Sequence, residues 1–138
     1  MGLLDRKKLL EKEKLEVVRV DLGDGDFVYV RQMNGEERDR FEQSLIRETK
    51  DNTGNIGYER SLENFRGKLA VFTICDEKGE LLLKPEDVTQ LSQSMSARRL
   101  EKIVNVAQPL SQISEEDKDA LTKKLDAGMT GVSSSDSV

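Results

Sequence analysis

Acidic residues beside glycine are the first feature of this chain whose types and spacing could do chemistry, because such clusters can bind calcium. One cluster runs from Asp21 to Asp26, and a second runs from Asp76 to Glu80. An EF-hand loop places Asp or Asn at positions one, three and five, glycine at six and glutamate at twelve. Neither cluster follows that order. We therefore interpret residues 22–26 as a hairpin turn and residues 76–80 as a connector.

Catalytic groups are scarce in the rest of the sequence. The chain has no histidine and one cysteine, Cys75, which lies in the apolar run VFTIC. A cysteine nucleophile usually needs a histidine base, and a zinc site needs several Cys or His ligands. We therefore expect Cys75 to be a small buried hydrophobic residue.

Other kinds of active site are also unsupported. Carboxylates are numerous, but most fall on exposed helix faces or at helix starts, whereas glycosidases need a pair of them in a sugar-binding cleft. The sequence has no tryptophan and no glycine motif for phosphates or dinucleotides. It predicts a protein that acts by binding, not an enzyme, with no cofactor and no metal.

Length and charge narrow the class of protein further. At 138 residues the chain is long enough for one domain with a hydrophobic core. Its net charge of −5 argues against nucleic-acid binding, which depends on clustered Lys and Arg. No apolar run approaches the roughly 18 residues of a membrane span, and the first residues lack the apolar core of a signal peptide. We expect a cytoplasmic protein with no nucleic-acid or membrane partner.

The hydrophobic pattern predicts an α+β fold, with an N-terminal β-hairpin followed by a predominantly helical body of four to five helices. We predict an N-terminal arm over residues 1–14, one α+β domain over 15–127 and a disordered tail over 128–138. The runs LEVVRVD and FVYVRQM are rich in Val, Tyr and Phe and lie on either side of LGDGD. Two such runs around a Gly/Asp turn are typical of a β-hairpin.

Capping signals and apolar spacing divide the helical body. Asn34 followed by Glu37 predicts a helix start with a capping box, and residues 51–57 are polar enough for a loop. Between residues 58 and 76, apolar side chains recur every three or four positions, which predicts the most buried helix. Gly67 lies inside that segment and predicts a close helix crossing.

The second half of the body has equally clear boundaries. Residues 81–83 form an extended apolar run that could pair with the hairpin edge. Pro85 suits the first position of a helix, and Ser94 or Ser96 suits the cap of the next one. Ser114 opens the last predicted helix.

The order of these signals is itself informative. The residues that carry it lie in the turn after the central segment, in the proline-started helix and in the two segments that follow. They are Cys75, Asp76, Glu77, Gly79, Leu81, Glu86, Asp87, Val88, Leu91, Leu100, Ile103, Ala107, Leu110, Ser114, Glu115 and Glu116. In order and spacing, the region from Val28 to Asp117 resembles the tail assembly chaperones of long-tailed (siphovirus-like) bacteriophages and prophages.

The resemblance implies a function that no single motif indicates. Proteins of that family bind the helical tape-measure protein in the host cytoplasm, keep it soluble and help recruit tail-tube subunits, and they are absent from the finished tail. The implied partners are therefore the tape-measure protein and the tail-tube protein. Independently of the resemblance, mixed-charge helix faces would support self-association into a homo-oligomer.

A chaperone for an amphipathic helix should expose apolar side chains in a groove between its own helices. The candidate partner-binding residues are Phe41, Leu45, Phe65, Phe72 and Leu100. The alternative for each is that it fills the protein's own core. The alternative for the whole chain is a small cytoplasmic bacterial adaptor or regulatory interaction domain without any phage connection.

Overall fold

The computed structural model describes residues 2–113. In chain order the elements are α1 (Arg6–Leu10), β1 (Val17–Gly23), β2 (Asp26–Arg31), α2 (Gly35–Ser44), β3 (Ile46–Lys50), β4 (Ile56–Arg60), α3 (Phe65–Val71), β5 (Ile74–Cys75), a 3₁₀ turn (Pro85–Asp87), α4 (Val88–Ser94) and α5 (Ala97–Leu110). The predicted α+β class with its N-terminal hairpin and helical body is confirmed. The helix predicted from Ser114 and the tail predicted over 128–138 lie outside the described residues.

The N-terminal hairpin forms as predicted, and it belongs to an antiparallel sheet of order β1-β2-β5. Val20 pairs with Val28 in the middle of the hairpin. The turn needs glycine, because Gly23 and Gly25 have φ values of 97° and 83°. Arg99 of α5 holds this turn, since its guanidinium donates to the carbonyl oxygen of Gly23 at 3.3 Å and to Asp26 at 3.0 Å.

The start of α2 is fixed by the predicted capping box, which is confirmed. The side chain of Asn34 accepts from the backbone N–H of Glu37 at 2.8 Å, and Glu37 Oε1 accepts from the N–H of Asn34 at 3.0 Å. The other oxygen of the same carboxylate accepts from Arg31 at the end of β2. One side chain therefore joins the helix to the sheet.

The single helix predicted over residues 58–76 is wrong. Its first part is β4, which pairs with β3 in a second hairpin, and only the middle part is helical, as α3. The predicted loop over 51–57 is the tip of this second hairpin together with the start of β4. Pairing between the two strands overrides the helical spacing of the apolar residues, because strand formation depends on packing against the neighbouring strand more than on intrinsic preference.

The hairpin tip and the end of α3 give two local reasons for this arrangement. Asp51 Oδ1 accepts from the backbone N–H groups of Thr53 and Asn55 at 2.9 Å each, which closes the tip. After α3, the Thr73 hydroxyl donates back to the carbonyl oxygen of Leu69 at 2.7 Å. The chain then leaves the helix and enters β5.

The extended run at 81–83 pairs with a different strand from the one predicted. Leu81 forms a bridge with Cys75 of β5 instead of pairing with a hairpin strand, because β5 already covers the free edge of β2. The helix starts predicted after this run are confirmed. Pro85 opens the 3₁₀ turn that leads into α4, and Ser96 caps α5 by accepting from the N–H of Arg99 at 3.2 Å.

The core lies between the three-stranded sheet and helices α2, α3 and α5. Its buried apolar residues include Val20, Leu22, Val30, Phe41, Leu69, Ala70, Ile74, Ile103, Val104, Ala107 and Ile113. The predicted close crossing at Gly67 is present. A Cβ atom added there would overlap Ser92 Oγ of α4 and would lie 3.5 Å from the carbonyl oxygen of Val88. Glycine therefore leaves room for the Ser92 side chain where α3 crosses α4.

We predict that Gly67→Ala lowers the free energy of unfolding by about 1–2 kcal/mol, because overpacking outweighs the better helix propensity of alanine. Urea unfolding followed by circular dichroism measures the change. The matched rescue is Gly67→Ala with Ser92→Ala, since Ser92 Oγ is buried without a hydrogen-bond partner among the described residues. An unstable double variant would show that this hydroxyl is not the obstacle.

Candidate protein-binding groove

The structure buries all five of the predicted partner-binding residues. Their exposed fractions are 0% for Phe41, 2% for Leu45, 6% for Phe65, 5% for Phe72 and 6% for Leu100. The three phenylalanines pack together, with ring centroids 5.6 Å apart for Phe41–Phe65 and 6.2 Å apart for Phe41–Phe72. Their burial supports the alternative that these side chains fill the core.

Phe72 also lines a surface groove of about 580 Å³ between α2, α3 and the start of α4. The residues around this groove are Glu36, Asp39, Arg40, Gln43, Ser44, Asn64, Lys68, Phe72, Pro85, Val88 and Thr89. Phe72, Pro85 and Val88 supply apolar surface, and the charged side chains come from α2 and α3. The volume is within the range of ligand pockets, roughly 300–1,000 Å³.

One wall of the groove is a stripe along α2. Its residues Glu36, Asp39, Arg40 and Gln43 follow the spacing i, i+3, i+4 and i+7, which places them on one helix face. All four are exposed. Glu36 and Arg40 are joined by an ion pair of 3.6 Å. This wall therefore presents both signs of charge above the apolar surface.

Lys68 closes the groove where α2 meets α3. Its Nζ donates to the carbonyl oxygen of Ser44 at 2.6 Å, at the C-terminal end of α2. Burial lowers the pKa of Lys68, and the charge of Glu63 acts in the opposite direction. The ammonium satisfies a carbonyl at a helix end, where a cation is favourable. Its aliphatic stem can add to the apolar surface of the groove.

Short apolar surface with a charged rim is the arrangement that accepts one face of an amphipathic helix. Among residues 2–113 no three His, Cys, Asp or Glu side chains are grouped closely enough to hold a metal ion. No helix in that range is long and apolar enough to cross a membrane.

The residues considered first for chemistry have local roles. Asp76 Oδ1 accepts from the backbone N–H groups of Lys78 at 2.8 Å and Glu80 at 3.0 Å, so its carboxylate is used by its own turn. The hydrogen bond from Glu80 is the largest cause that lowers the pKa of Asp76. Cys75 is 1% exposed, and burial raises the pKa of its thiol. A thiol in that state is a poor nucleophile.

Two exposed apolar surfaces, on the second hairpin and on the N-terminal arm, were not predicted from the sequence. The second hairpin carries Ile46, Ile56 and Tyr58, which are 38%, 57% and 54% exposed. Strand signals were present there, because IRETK and IGYER lie on either side of the polar turn DNTGN. The arm exposes four leucines, and they are Leu3, Leu4, Leu9 and Leu10.

The orientation of the α2 wall depends on the ion pair between Arg31 and Glu37, whose side chains are 9% and 13% exposed. We predict that Glu37→Gln lowers the free energy of unfolding by about 2–4 kcal/mol, because it leaves a buried guanidinium without its carboxylate. Urea denaturation measures the effect. The control is Glu36→Gln on the same helix, 74% exposed, which should change stability by less than about 0.5 kcal/mol. Equal effects of the two variants would contradict the anchoring role.

Comparison with known proteins identifies no relative. No protein-family model, no curated protein and no solved structure matches this chain.

Proposed function

We propose that this protein is a tail assembly chaperone of a long-tailed bacteriophage or prophage. It binds the tape-measure protein in the host cytoplasm, keeps it soluble and helps recruit tail-tube subunits. Two observations support the proposal: the order of sequence signals from Val28 to Asp117, and the groove between α2, α3 and α4. The groove is the stronger of the two observations, because it offers a client helix both apolar contact and a charged rim.

The apolar surface of the groove suits weak, reversible binding. Fully burying one Val, Leu or Phe side chain contributes about 1.5–3 kcal/mol, and association itself consumes much of that gain. A client side chain that contacts Phe72, Pro85 and Val88 would therefore bind weakly on its own. Weak binding fits a chaperone that must leave its client when the tail is complete.

A long helical client compensates for weak single sites. A long amphipathic helix presents its apolar stripe over many turns, so several copies of the chaperone could occupy such a client in a row. Each copy needs only a short stripe at spacing i, i+3/i+4 and i+7. The mixed rim of Glu36, Asp39 and Arg40 accommodates clients whose polar faces carry charges of both signs.

The proposal is tested by co-expression with the tape-measure protein that it expects to be encoded beside this gene. The wild-type chain should raise the soluble fraction of that protein and co-purify with it. In Thr89→Arg, a long charged side chain enters the groove from an exposed helix position. We expect about tenfold less retained client, equivalent to about 1.4 kcal/mol.

The matched control is Gln90→Arg, which adds the same charge to α4 at an exposed position away from the groove. It should retain the client as the wild type does. If both variants behave alike, the groove is not the client site. If the wild-type chain neither retains nor solubilises its neighbour, the chaperone proposal fails and an adaptor domain for another protein becomes the better explanation.

A further inference from the structure

The second hairpin, β3 and β4, is a two-stranded sheet of its own and exposes side chains on both of its faces. Its apolar residues Ile46, Ile56 and Tyr58 are exposed on one face. On the other face Arg47 and Glu59 form an ion pair and are 56% and 41% exposed. An isolated two-stranded hairpin is marginally stable in water. A partner that adds strands would stabilise it.

The ladder geometry shows which backbone groups of β3 have no partner within residues 2–113 and can bind a further strand. The N–H of Ser61 donates to the carbonyl oxygen of Leu45 at 2.7 Å. The N–H of Asp51 donates to the carbonyl oxygen of Asn55 at 3.1 Å. Hydrogen-bonded pairs alternate along an antiparallel ladder. Odd-numbered residues of β3 therefore bond to β4. The backbone groups of residues 46, 48 and 50 point to the open edge.

The charges along β3 are arranged so that the strand complements itself. Around Thr49, Glu48 and Lys50 have opposite signs, and so do Arg47 and Asp51. If two copies of this strand pair antiparallel with Thr49 at the centre, each Glu48 lies opposite a Lys50. Opposite charges directly across a strand pair stabilise it, and like charges destabilise it.

We propose that β3 binds β3 of a second copy of this chain, antiparallel and centred on Thr49, to form a four-stranded sheet across a two-fold axis. In this register Glu48 of one copy forms a backbone hydrogen-bonded pair with Lys50 of the other copy. The two-fold axis generates a second, identical pair. A two-fold axis makes such an interface isologous, so the same strand serves both sides.

Other arrangements of the same edges fit less well. Centring the pair on Glu48 would place two carboxylates directly opposite each other. Pairing through β4, centred on Tyr58, would place Ile56 opposite Arg60 and offers no matched charges. The register centred on Thr49 is therefore the one that the charge pattern selects.

The contact is small, so we expect dimerisation that depends on concentration. Strands of five residues cover much less than the roughly 800 Å² per partner of a standard interface. The edge of β3 is separate from the groove, which α2, α3 and α4 form. Loss of the dimer would leave the proposed chaperone function standing, and failure of that function would leave the dimer standing.

A charge exchange tests the proposal by sedimentation velocity from micromolar to millimolar chain concentration. The wild-type chain should dimerise. Glu48→Lys and Lys50→Glu should each weaken the dimer by about tenfold, since each places like charges opposite one another twice. The double variant should recover the wild-type affinity to within about twofold, because the opposite signs are restored. Both residues are exposed, so circular dichroism should show an unchanged fold.

A crosslink tests the register directly. Thr49→Cys in a Cys75→Ser background should form an intermolecular disulfide on oxidation, since a non-hydrogen-bonded antiparallel pair brings Cα atoms to about 4.5 Å. Glu59→Cys on β4 should not crosslink. A wild-type chain that stays monomeric, a double charge variant that does not recover, or equal crosslinking at both positions would overturn the proposal. The proposal would also be overturned if the chain stayed monomeric and the NMR shifts of the β3 amides changed only when the tape-measure protein was added.

Discussion

The carboxylate of Glu37 is the interaction on which the rest of the structure depends. One of its oxygens closes the capping box at Asn34, and the other accepts from Arg31 at the end of β2. This side chain therefore sets where α2 begins and how it lies against the sheet. Its neighbour Arg38 donates to the carbonyl oxygen of Ser111 at 2.7 Å and ties α2 to the end of α5. With α2 fixed in this way, its outer face becomes a wall of the groove, and its C-terminal end leads into the second hairpin.

The other sides of the groove depend on close packing around α3. Gly67 lets α3 approach α4 closely enough for the Ser92 side chain to lie against it, and Lys68 spans from α3 to the last turn of α2. Phe72 then lies at the meeting point of the three helices, largely buried but still part of the groove surface. The groove is therefore shaped by two contacts, the packing of Gly67 against α4 and the hydrogen bond from Lys68 to α2.

Sequence reasoning succeeded where the signal is local. The Gly/Asp turn after β1, the capping box at Asn34, the Pro85 start and the close contact at Gly67 each depend on a few neighbouring residues, and all appear in the structure. The second hairpin was missed because its strands depend on pairing across a turn, while the apolar spacing after Leu62 also fits a helix.

The candidate site residues were buried for a related physical reason. Strong apolar periodicity marks the face of an element that packs into its own core, so selecting Phe41 or Leu45 from such a stripe selects core residues. The groove instead uses half-exposed or exposed residues such as Val88 and Thr89, which come together only when three helices meet. No pattern within one segment could indicate that meeting. The second hairpin differs, because IRETK and IGYER on either side of DNTGN did carry a strand signal.

The most direct measurement of the central claim is an NMR titration of the ¹⁵N-labelled full chain with a helical tape-measure segment. If the client binds in the groove, backbone amide shifts should change mainly in α2, α3 and α4 around it, including those of Asp39, Gln43 and Thr89. Shifts that change only in the second hairpin or the arm, with the groove amides unaffected, would contradict it.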